Sequence, residues 1–251
     1  MSEQQDVVVV AGASGRTGRL CVEQLLAAGV PVRALVRSPE KAATLPAGVE
    51  VALADTADRE AVRRALAGAW GLIIATGARP QLKAGGRGPQ DMFYPPDATP
   101  QKIDYEGQVN LIEAAKEAGV QRVVLISSIG VTQPDNILNT LGNGRILEWK
   151  LKSEDHLRAS GLTYTIVRPG HLEGQTHPPR ALVVGTGDTL QGAVSREEVA
   201  AVCVAALRSE AACNKTFELV SVPGPATTDY DALLAQVPPD QGAGSAGARS
   251  R

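Results

Sequence analysis

The sequence predicts an α/β protein built on a doubly wound parallel sheet, and two patterns carry that prediction. Short apolar runs alternate with segments of helical periodicity from the first residues onward. Several of these runs, such as VVVV at 7–10 and LIIA at 72–75, are apolar throughout, which suits strands covered by helices on both faces. Because strictly alternating β and α segments join by right-handed crossovers, they form one open sheet with helices on each side.

The alternation divides most of the chain into strands and helices. The predicted strands are residues 7–10, 31–36, 49–54, 71–76, 122–128 and 163–170. The predicted helices are residues 17–29, 38–45, 58–68, 104–119 and 145–160. Ser38 is expected at the N-cap of the second helix and Pro39 in its first turn.

Three segments depart from this rhythm. Residues 77–101 are rich in proline and glycine and too long for an ordinary connection. They follow the carboxyl end of the fourth strand, where open α/β sheets bind ligands, so we expect a lid over a site. Residues 130–144 follow the fifth strand at the same edge. We expect residues 238–251 to be a disordered tail, because they have no apolar periodicity.

Composition excludes several classes of function. The net charge of −2 and a pI near 6.0 argue against general affinity for nucleic acid or an anionic membrane. The polar start of the chain and the lack of an apolar run of spanning length predict a soluble, cytoplasmic protein. Its three cysteines have no metal-like spacing and are expected to be reduced, so we expect no metal.

A glycine pattern joins the first strand to the first helix. Glycines recur every three residues in AGASGRTG, between an apolar run and a helical segment. This spacing lets the backbone approach a pyrophosphate, which then lies against free N–H groups at the helix start. A simple tight turn is the alternative, but both flanks favour a dinucleotide site. Its candidate residues are Gly12, Ser14, Gly15, Arg16, Thr17 and Gly18.

The residues after the second strand indicate which dinucleotide binds. NAD-specific sites usually place a carboxylate there for the adenosine ribose, whereas this chain has Arg37, Ser38 and Lys41. A guanidinium pairs with the 2′-phosphate of NADP(H), so we expect NADP(H) in preference to NAD(H), with Arg16 approaching from the other side. Asp55, after the third strand, is expected to bond the adenine or else to cap the following helix.

Five stretches of the sequence together carry a family likeness. They are GASGRTG, LVRS, NLIEAAKEAGVQRVVLISSIG, LGNGRILEWKLKSEDHLRASGLTYTIVRPG and REEVAAVCVAAL. Over residues 6–235 the chain resembles the atypical short-chain dehydrogenase/reductases of the NAD(P)-binding NmrA-like group. The resemblance implies a Rossmann fold in a single domain, residues 1–237, with small substrate-side elements from about residue 171.

The resemblance also implies roles at matching positions. Ser127 and Ser128 match the region whose hydroxyl polarises a substrate carbonyl. The family then carries Tyr-x-x-x-Lys, in which tyrosine is the general acid and lysine holds the nicotinamide ribose. Lys150 takes the lysine position and Ile146 the tyrosine position, so the usual proton donor is missing. The alternative for Lys150 is an ordinary helix-surface pair with Glu154.

A lost general acid slows a reaction by about two to four powers of ten, but correct placement of the hydride still permits it. Tyr94 and His171 are candidate replacement donors on predicted loops, although a packing role for Tyr94 is the alternative. By the same resemblance, further contacts to the cofactor are expected beside the ribose, the pyrophosphate and the nicotinamide. They are Ala75, Thr76, Gly77, Pro169 and Gly170.

The sequence is compatible with two functions. The first is an NADPH-dependent oxidoreductase that reduces a small carbonyl, quinone or conjugated substrate, a reading favoured by the long lid. The second is a non-catalytic NADP(H)-binding redox sensor or scaffold, favoured by Ile146 at the acid position. We expect a small-molecule substrate, and a monomer rather than a homodimer because the helix with Lys150 is highly charged.

Overall fold

The computed structural model describes residues 6–174 and 180–241. Twelve strands lie in these ranges. They are β1 (Val8–Ala11), β2 (Val32–Val36), β3 (Glu50–Leu53), β4 (Gly71–Ile74), β5 (Gln81–Leu82), β6 (Met92–Phe93), β7 (Arg122–Ile126), β8 (Tyr164–Pro169), β9 (His171–Glu173), β10 (Ala181–Gly185), β11 (Ala193–Ser195) and β12 (Lys215–Val222).

Eight strands form the main sheet, in the order β10-β12-β8-β7-β4-β1-β2-β3. Neighbouring strands are parallel except β10 and β12, which are antiparallel. The chain runs from β1 to β3 on one side and from β4 to β8 on the other. The crevice between the carboxyl ends of β1 and β4 is therefore the topological switch point, where such sheets bind ligands. The doubly wound sheet is confirmed.

Helices cover both faces of this sheet. In the described residues they are α1 (Arg16–Ala27), α2 (Pro39–Ala42), α3 (Arg59–Leu66), α4 (Gly107–Glu117), α5 (Ile146–Ala159), α6 (Arg196–Arg208) and α7 (Tyr230–Ala235). The predicted helix 104–119 is divided, because a wide π-helical turn, Gln101–Glu106, precedes α4. Pro39 opens α2 as predicted, whereas the Ser38 side chain makes no capping hydrogen bond.

The central strands are buried on both faces, as their apolar runs predict. Val10 packs into a cluster that includes Leu25 of α1, and its neighbour Val9 packs with Leu66 of α3 and Leu111 of α4. Alternate side chains of one strand therefore belong to two separate cores. The edge strand β3 is mostly exposed, because β2 is its one neighbour in the sheet.

Several elements were not predicted. The predicted lid contains the antiparallel hairpin β5–β6, and β9 pairs with β11 beside the main sheet. The chain is also held beyond the expected end of the fold, because the Asp240 carboxylate accepts hydrogen bonds from the Tyr164 hydroxyl and the Thr216 amide. The rest of the predicted tail, residues 242–251, lies outside the described residues. Among residues 6–174 and 180–241, no helix is long and apolar enough to cross a membrane.

Candidate functional site

The glycine turn after β1 is held by close backbone packing. Gly12 has φ +80°, and a Cβ there would lie 2.8 Å from the Ala75 backbone. A Cβ on Gly18 would lie 2.3 Å from the carbonyl oxygen of Gly12. Both positions therefore require glycine for local geometry alone. The turn leads directly into α1, whose first N–H groups have no acceptor within the helix.

A cavity of about 630 Å³ opens at the switch point, beside this turn. It extends from the start of α1 past the ends of β4, β7 and β8 to the loop before β11. Many predicted site residues are brought together along it. They are Gly15, Arg16, Thr17, Ala75, Thr76, Gly77, Ser127, Ser128, Lys150, Pro169, Gly170 and His171.

Other predicted residues lie outside the lining of the cavity. Gly12, Ser14 and Gly18 shape the turn behind it. Ile146, at the expected tyrosine position, is the first residue of α5 and also lies outside the lining.

The residues expected to select the cofactor lie beyond the cavity at the same sheet edge. Arg37 and Lys41 are exposed, and within the described residues neither forms an ion pair. The Ser38 hydroxyl bonds to Glu40 and lowers the pKa of that carboxyl. Asp55 is exposed and accepts a hydrogen bond from the Ala57 amide at 2.8 Å. It does not cap α3, because Asp58 is the N-cap of that helix.

Tyr94 is a packing residue rather than a candidate proton donor. It is buried, its ring fills the space that a Cβ on Gly144 would occupy, and it lies close to Gly142 as well. Burial and the nearby Asp104 charge raise the pKa of Tyr94 to about 12. The ring thereby joins the hairpin segment to residues 142–144. His171 does line the cavity, at an exposed position where its amide donates to the Gly192 carbonyl at 2.9 Å.

The two serines at the end of β7 are already engaged. The Ser127 hydroxyl donates to the buried carboxylate of Glu154, and the Ser128 hydroxyl donates to the Ile129 carbonyl at 2.9 Å. Glu154 also receives the guanidinium group of Arg168 at 2.6 Å. In this arrangement neither serine hydroxyl has its proton free for a substrate oxygen.

The predicted alternative pairing of Lys150 with Glu154 does not occur. Lys150 instead forms an ion pair of 2.8 Å with Asp104, in the π-helical turn before α4. Asp104 is fully buried, and its second oxygen accepts a hydrogen bond from the Ala78 amide at 2.9 Å. Burial raises the pKa of the Asp104 carboxyl, and the Lys150 charge opposes that rise.

Three arginines cluster at the other end of the cavity. Arg16, Arg79 and Arg196 all line it. Burial, followed by the charge of Arg16, lowers the pKa of Arg79, and burial followed by both other arginines lowers the pKa of Arg196. Among residues 6–174 and 180–241, no carboxylate forms an ion pair with any of the three. Concentrated positive charge without a counter-charge suits a polyanionic ligand.

The loop above the cavity is fixed by two carboxylates. Glu218 of β12 is buried and accepts hydrogen bonds from the amides of Asp188, Thr189 and Leu190. Asp188 in turn accepts from the amides of Gly130 and Thr132 and from the Thr132 hydroxyl. Burial favours the neutral form of Asp188, but these hydrogen bonds outweigh it and lower its pKa.

Sequence reasoning missed the buried acids, although the sequence held a signal. Asp104 lies four residues before Gln108 and seven before Leu111, on the buried stripe of the helix. Glu154 stands three residues before Leu157 on the buried stripe of α5. A charged residue on an apolar stripe needs a partner, because burying an unpaired charge is costly.

The residues present fit a dinucleotide. The start of α1 and the arginine cluster form a cationic cradle of the kind that a pyrophosphate needs, and the glycine turn allows close backbone approach. Lys150 also lines the cavity, and its ammonium group lies 2.8 Å from Asp104 Oδ1 in an ion pair. An ammonium group has three N–H donors, so it can also bond to a ligand.

Known proteins are similar to this chain in sequence and in fold. The chain is 38% identical to sanguinarine reductase from Eschscholzia californica, over 94% of this chain and 97% of that protein. Its fold matches the anaerobilin reductase ChuY from Escherichia coli O157:H7 with a TM-score of 0.68 and 23% identity, covering 88% of this chain and all of that one. It also matches the triphenylmethane reductase of Citrobacter sp., solved with NADP(H), with a TM-score of 0.59 and 24% identity, covering 86% and 70% of the two chains.

A family profile gives the assignment. The profile of NAD(P)H-binding proteins matches residues 12–210, from the glycine turn to the end of α6 and two residues beyond. This range contains the whole cavity lining, and the chain accordingly belongs to the NAD(P)H-binding family.

Proposed function

We propose that this protein is an NADPH-dependent reductase that transfers a hydride to a small carbonyl, quinone or conjugated substrate. One observation carries the proposal. A single cavity of about 630 Å³ joins the cationic start of α1 to Lys150 and the ends of β7 and β8, which leaves space for a substrate beside a nicotinamide. The 38% identity to a plant reductase over nearly the whole chain supports the same chemistry.

The chain's own residues have distinct tasks in this reaction. The helix start and the arginine cluster hold the pyrophosphate, while Arg37 and Lys41 face the 2′-phosphate and favour NADPH over NADH. Lys150 donates hydrogen bonds to the nicotinamide ribose, and the backbone at Pro169 and Gly170 orients the nicotinamide. NADPH supplies the hydride once it is bound.

Proton delivery sets the choice of substrate. Ser127 and Ser128 donate their hydroxyl protons to protein acceptors, and Ile146 has none to give. Water is then the proton source, and the reaction favours acceptors that are easily reduced without a strong general acid. Quinones and conjugated systems meet this requirement better than simple ketones do.

The lack of a free proton donor beside the nicotinamide in the described part of the chain favours a second candidate, a non-catalytic NADPH sensor. A chain that binds the dinucleotide but has no free acid beside the nicotinamide can report its redox state without turnover. The two functions share the cofactor and differ only in substrate turnover.

Binding and turnover distinguish the candidates. NADPH and NADH are titrated onto the purified protein, and then aldehydes, ketones, quinones and sanguinarine are added while NADPH absorbance is followed. Tight NADPH binding with consumption by a quinone or conjugated acceptor supports the reductase. Tight binding without consumption by any acceptor supports the sensor, and binding of neither nucleotide contradicts both.

Arg37→Glu tests the cofactor preference. It replaces a cation by an anion at the 2′-phosphate, so NADPH affinity should fall by about a hundredfold while NADH affinity stays level or rises. Arg87→Glu, an exposed change in the hairpin outside the cavity, is the matched control and should leave both affinities unchanged. Equal losses for the two nucleotides with Arg37→Glu would contradict the preference.

A further inference from the structure

Asp104 is a fully buried charge that contacts Lys150, a residue of the cavity lining. Its side chain is 0% exposed, whereas that of its partner Lys150 keeps 12% exposure on the cavity side. Burying a carboxylate is unfavourable unless its oxygens are paired. A fully buried acid at this position therefore points to a task at the site.

Both neighbours of Asp104 are hydrogen-bond donors. One oxygen lies 2.8 Å from the Lys150 ammonium and the other lies 2.9 Å from the Ala78 amide. An asparagine of the same shape can accept with one atom only, and its NH₂ group would face a second donor. The position therefore requires a carboxylate and not merely a polar side chain.

The backbone around Asp104 is built for this contact. The π-helical turn Gln101–Glu106 carries it toward the end of β4, and such wide turns are frequent at functional sites. One turn further on, the Gln108 amide donates to the Thr76 carbonyl at 3.2 Å. Asp104 and Gln108 thus fix residues 76–78, which line the cavity.

We propose that Asp104 is a positioning residue for the cofactor: its carboxylate holds the Lys150 ammonium oriented toward the nicotinamide ribose, and its second oxygen anchors the backbone at Ala78 beside it. This inference rests on the proposed function only in that a dinucleotide binds. In this chain, Asp104 in the turn before α4 orients Lys150, and Ile146 replaces the tyrosine expected from the family resemblance.

A pH series of cofactor binding tests the proposal without any substrate. NADPH dissociation constants are measured by calorimetry from about pH 6 to about pH 9, a range in which free lysine stays charged. The groups that face Asp104 are Lys150 from α5 and Tyr94 from the hairpin segment. The pKa of Tyr94, about 12, keeps this tyrosine neutral throughout the series.

The Asp104→Asn variant gives the expected signature. Without its counter-charge in a shielded site, the Lys150 ammonium loses its proton more readily as the pH rises. NADPH affinity should be about threefold weaker at low pH and about tenfold to a hundredfold weaker at high pH, the worth of a charge-assisted hydrogen bond. Wild-type affinity should change little over the series. Glu113→Gln, the same chemical change at a half-exposed carboxylate of α4, is the control and should match the wild type.

A double variant separates positioning from simple structural damage. Lys150→Met alone leaves Asp104 as an unpaired buried charge, so its folding is checked by thermal melting. In Asp104→Asn/Lys150→Met both charges are absent, and NADPH affinity should equal that of the weaker single variant, with no pH dependence. Additive losses, or an Asp104→Asn defect of equal size at every pH, would overturn the proposal. If the wild type itself binds no NADPH, the proposed function fails first.

Discussion

The two ends of the cavity differ in whether their charged side chains have acidic partners. At the start of α1, burial followed by neighbouring arginine charges lowers the pKa of Arg79 and of Arg196, and no described carboxylate pairs with these two or with Arg16. At the ends of β7 and α5, Ser127 and Lys150 each contact a buried acid. Among the described residues, the arginine end has no acidic partner, although Arg196 donates to the Glu173 carbonyl at 2.6 Å, whereas Ser127 and Lys150 are paired in advance.

This difference separates binding from positioning. Arginines without an acidic partner repel one another in the free protein and are stabilised when a polyanion binds. That end of the cavity therefore contributes mainly to binding affinity. Prepaired groups gain little new contact energy, but their geometry is fixed before a ligand arrives, which favours reaction over affinity. Substitutions at the two ends should therefore change different measured quantities.

The largest expected effect is at the prepaired end, with Glu154→Ala. This change leaves two arginines, Arg158 and Arg168, and the Ser127 hydroxyl without their buried acceptor. We expect the free energy of unfolding to fall by about 3–5 kcal/mol. Urea denaturation measures it. Asp155→Ala, which removes an exposed partner of Arg158, is the control and should cost no more than about 0.5 kcal/mol. Similar losses for the two variants would contradict the distinction.

An intermediate effect is expected at the unsatisfied end, with Arg79→Ala. Because a pyrophosphate is common to both nucleotides, the affinities for NADPH and NADH should fall together by about tenfold. Thermal stability without nucleotide should not fall, since the change relieves repulsion from Arg16. Titration of both nucleotides and a thermal melt provide the measurements. A loss confined to NADPH would place Arg79 at the 2′-phosphate and not at the pyrophosphate.

The smallest effect concerns the loop above the cavity and depends on pH. The folded-state pKa of Asp188 is lowered, so its stabilising hydrogen bonds are fully present above the usual pKa of 3.8 and are lost as the pH falls through the lower folded value. Asp188→Asn should reduce the unfolding free energy by about 1 kcal/mol near neutral pH. Asparagine also tolerates the φ of +60° at this position.

The deficit of Asp188→Asn should shrink once the pH has fallen well below 3.8 and through the lower folded-state pKa, where the wild-type carboxyl also becomes protonated. Urea unfolding at both pH values gives the comparison. An equal deficit at both values would mean that the carboxylate charge contributes nothing to holding the loop.

The fold could be predicted because its determinants are local. The apolar run at 7–10, the glycines that follow it and the alternation of elements are each read within a few residues, and crossover rules then order the strands. The hairpin β5–β6 was missed because its strands are only two residues long, with β5 exposed and β6 partly buried. Such elements are set by contacts with residues 141–144 rather than by their own periodicity.

The pairings at the site could not be predicted from local pattern. Lys150 and Glu154 share a helix face, which suggested a surface pair. Asp104, the true partner of Lys150, is 46 positions away, and Arg168 reaches Glu154 from a neighbouring strand. The packing of whole helices and strands determines which residue pairs with a buried charge. The sequence itself shows only that a charged residue stands on an otherwise apolar stripe.

The Tyr94 ring against Gly142 and Gly144 also bears on how this cavity can acquire new substrates. A side chain at Gly144 collides with the ring, and one at Gly142 crowds both the ring and the Phe93 backbone, so changes in the hairpin segment and in residues 142–144 are coupled. Tyr94 and residues 142–144 lie outside the lining of the cavity, whereas Gln133, Asn136 and Leu138 line it. Single substitutions that alter the cavity wall in this part of the chain therefore fall within residues 133–138, while Gly142 and Gly144 restrict changes outside the lining.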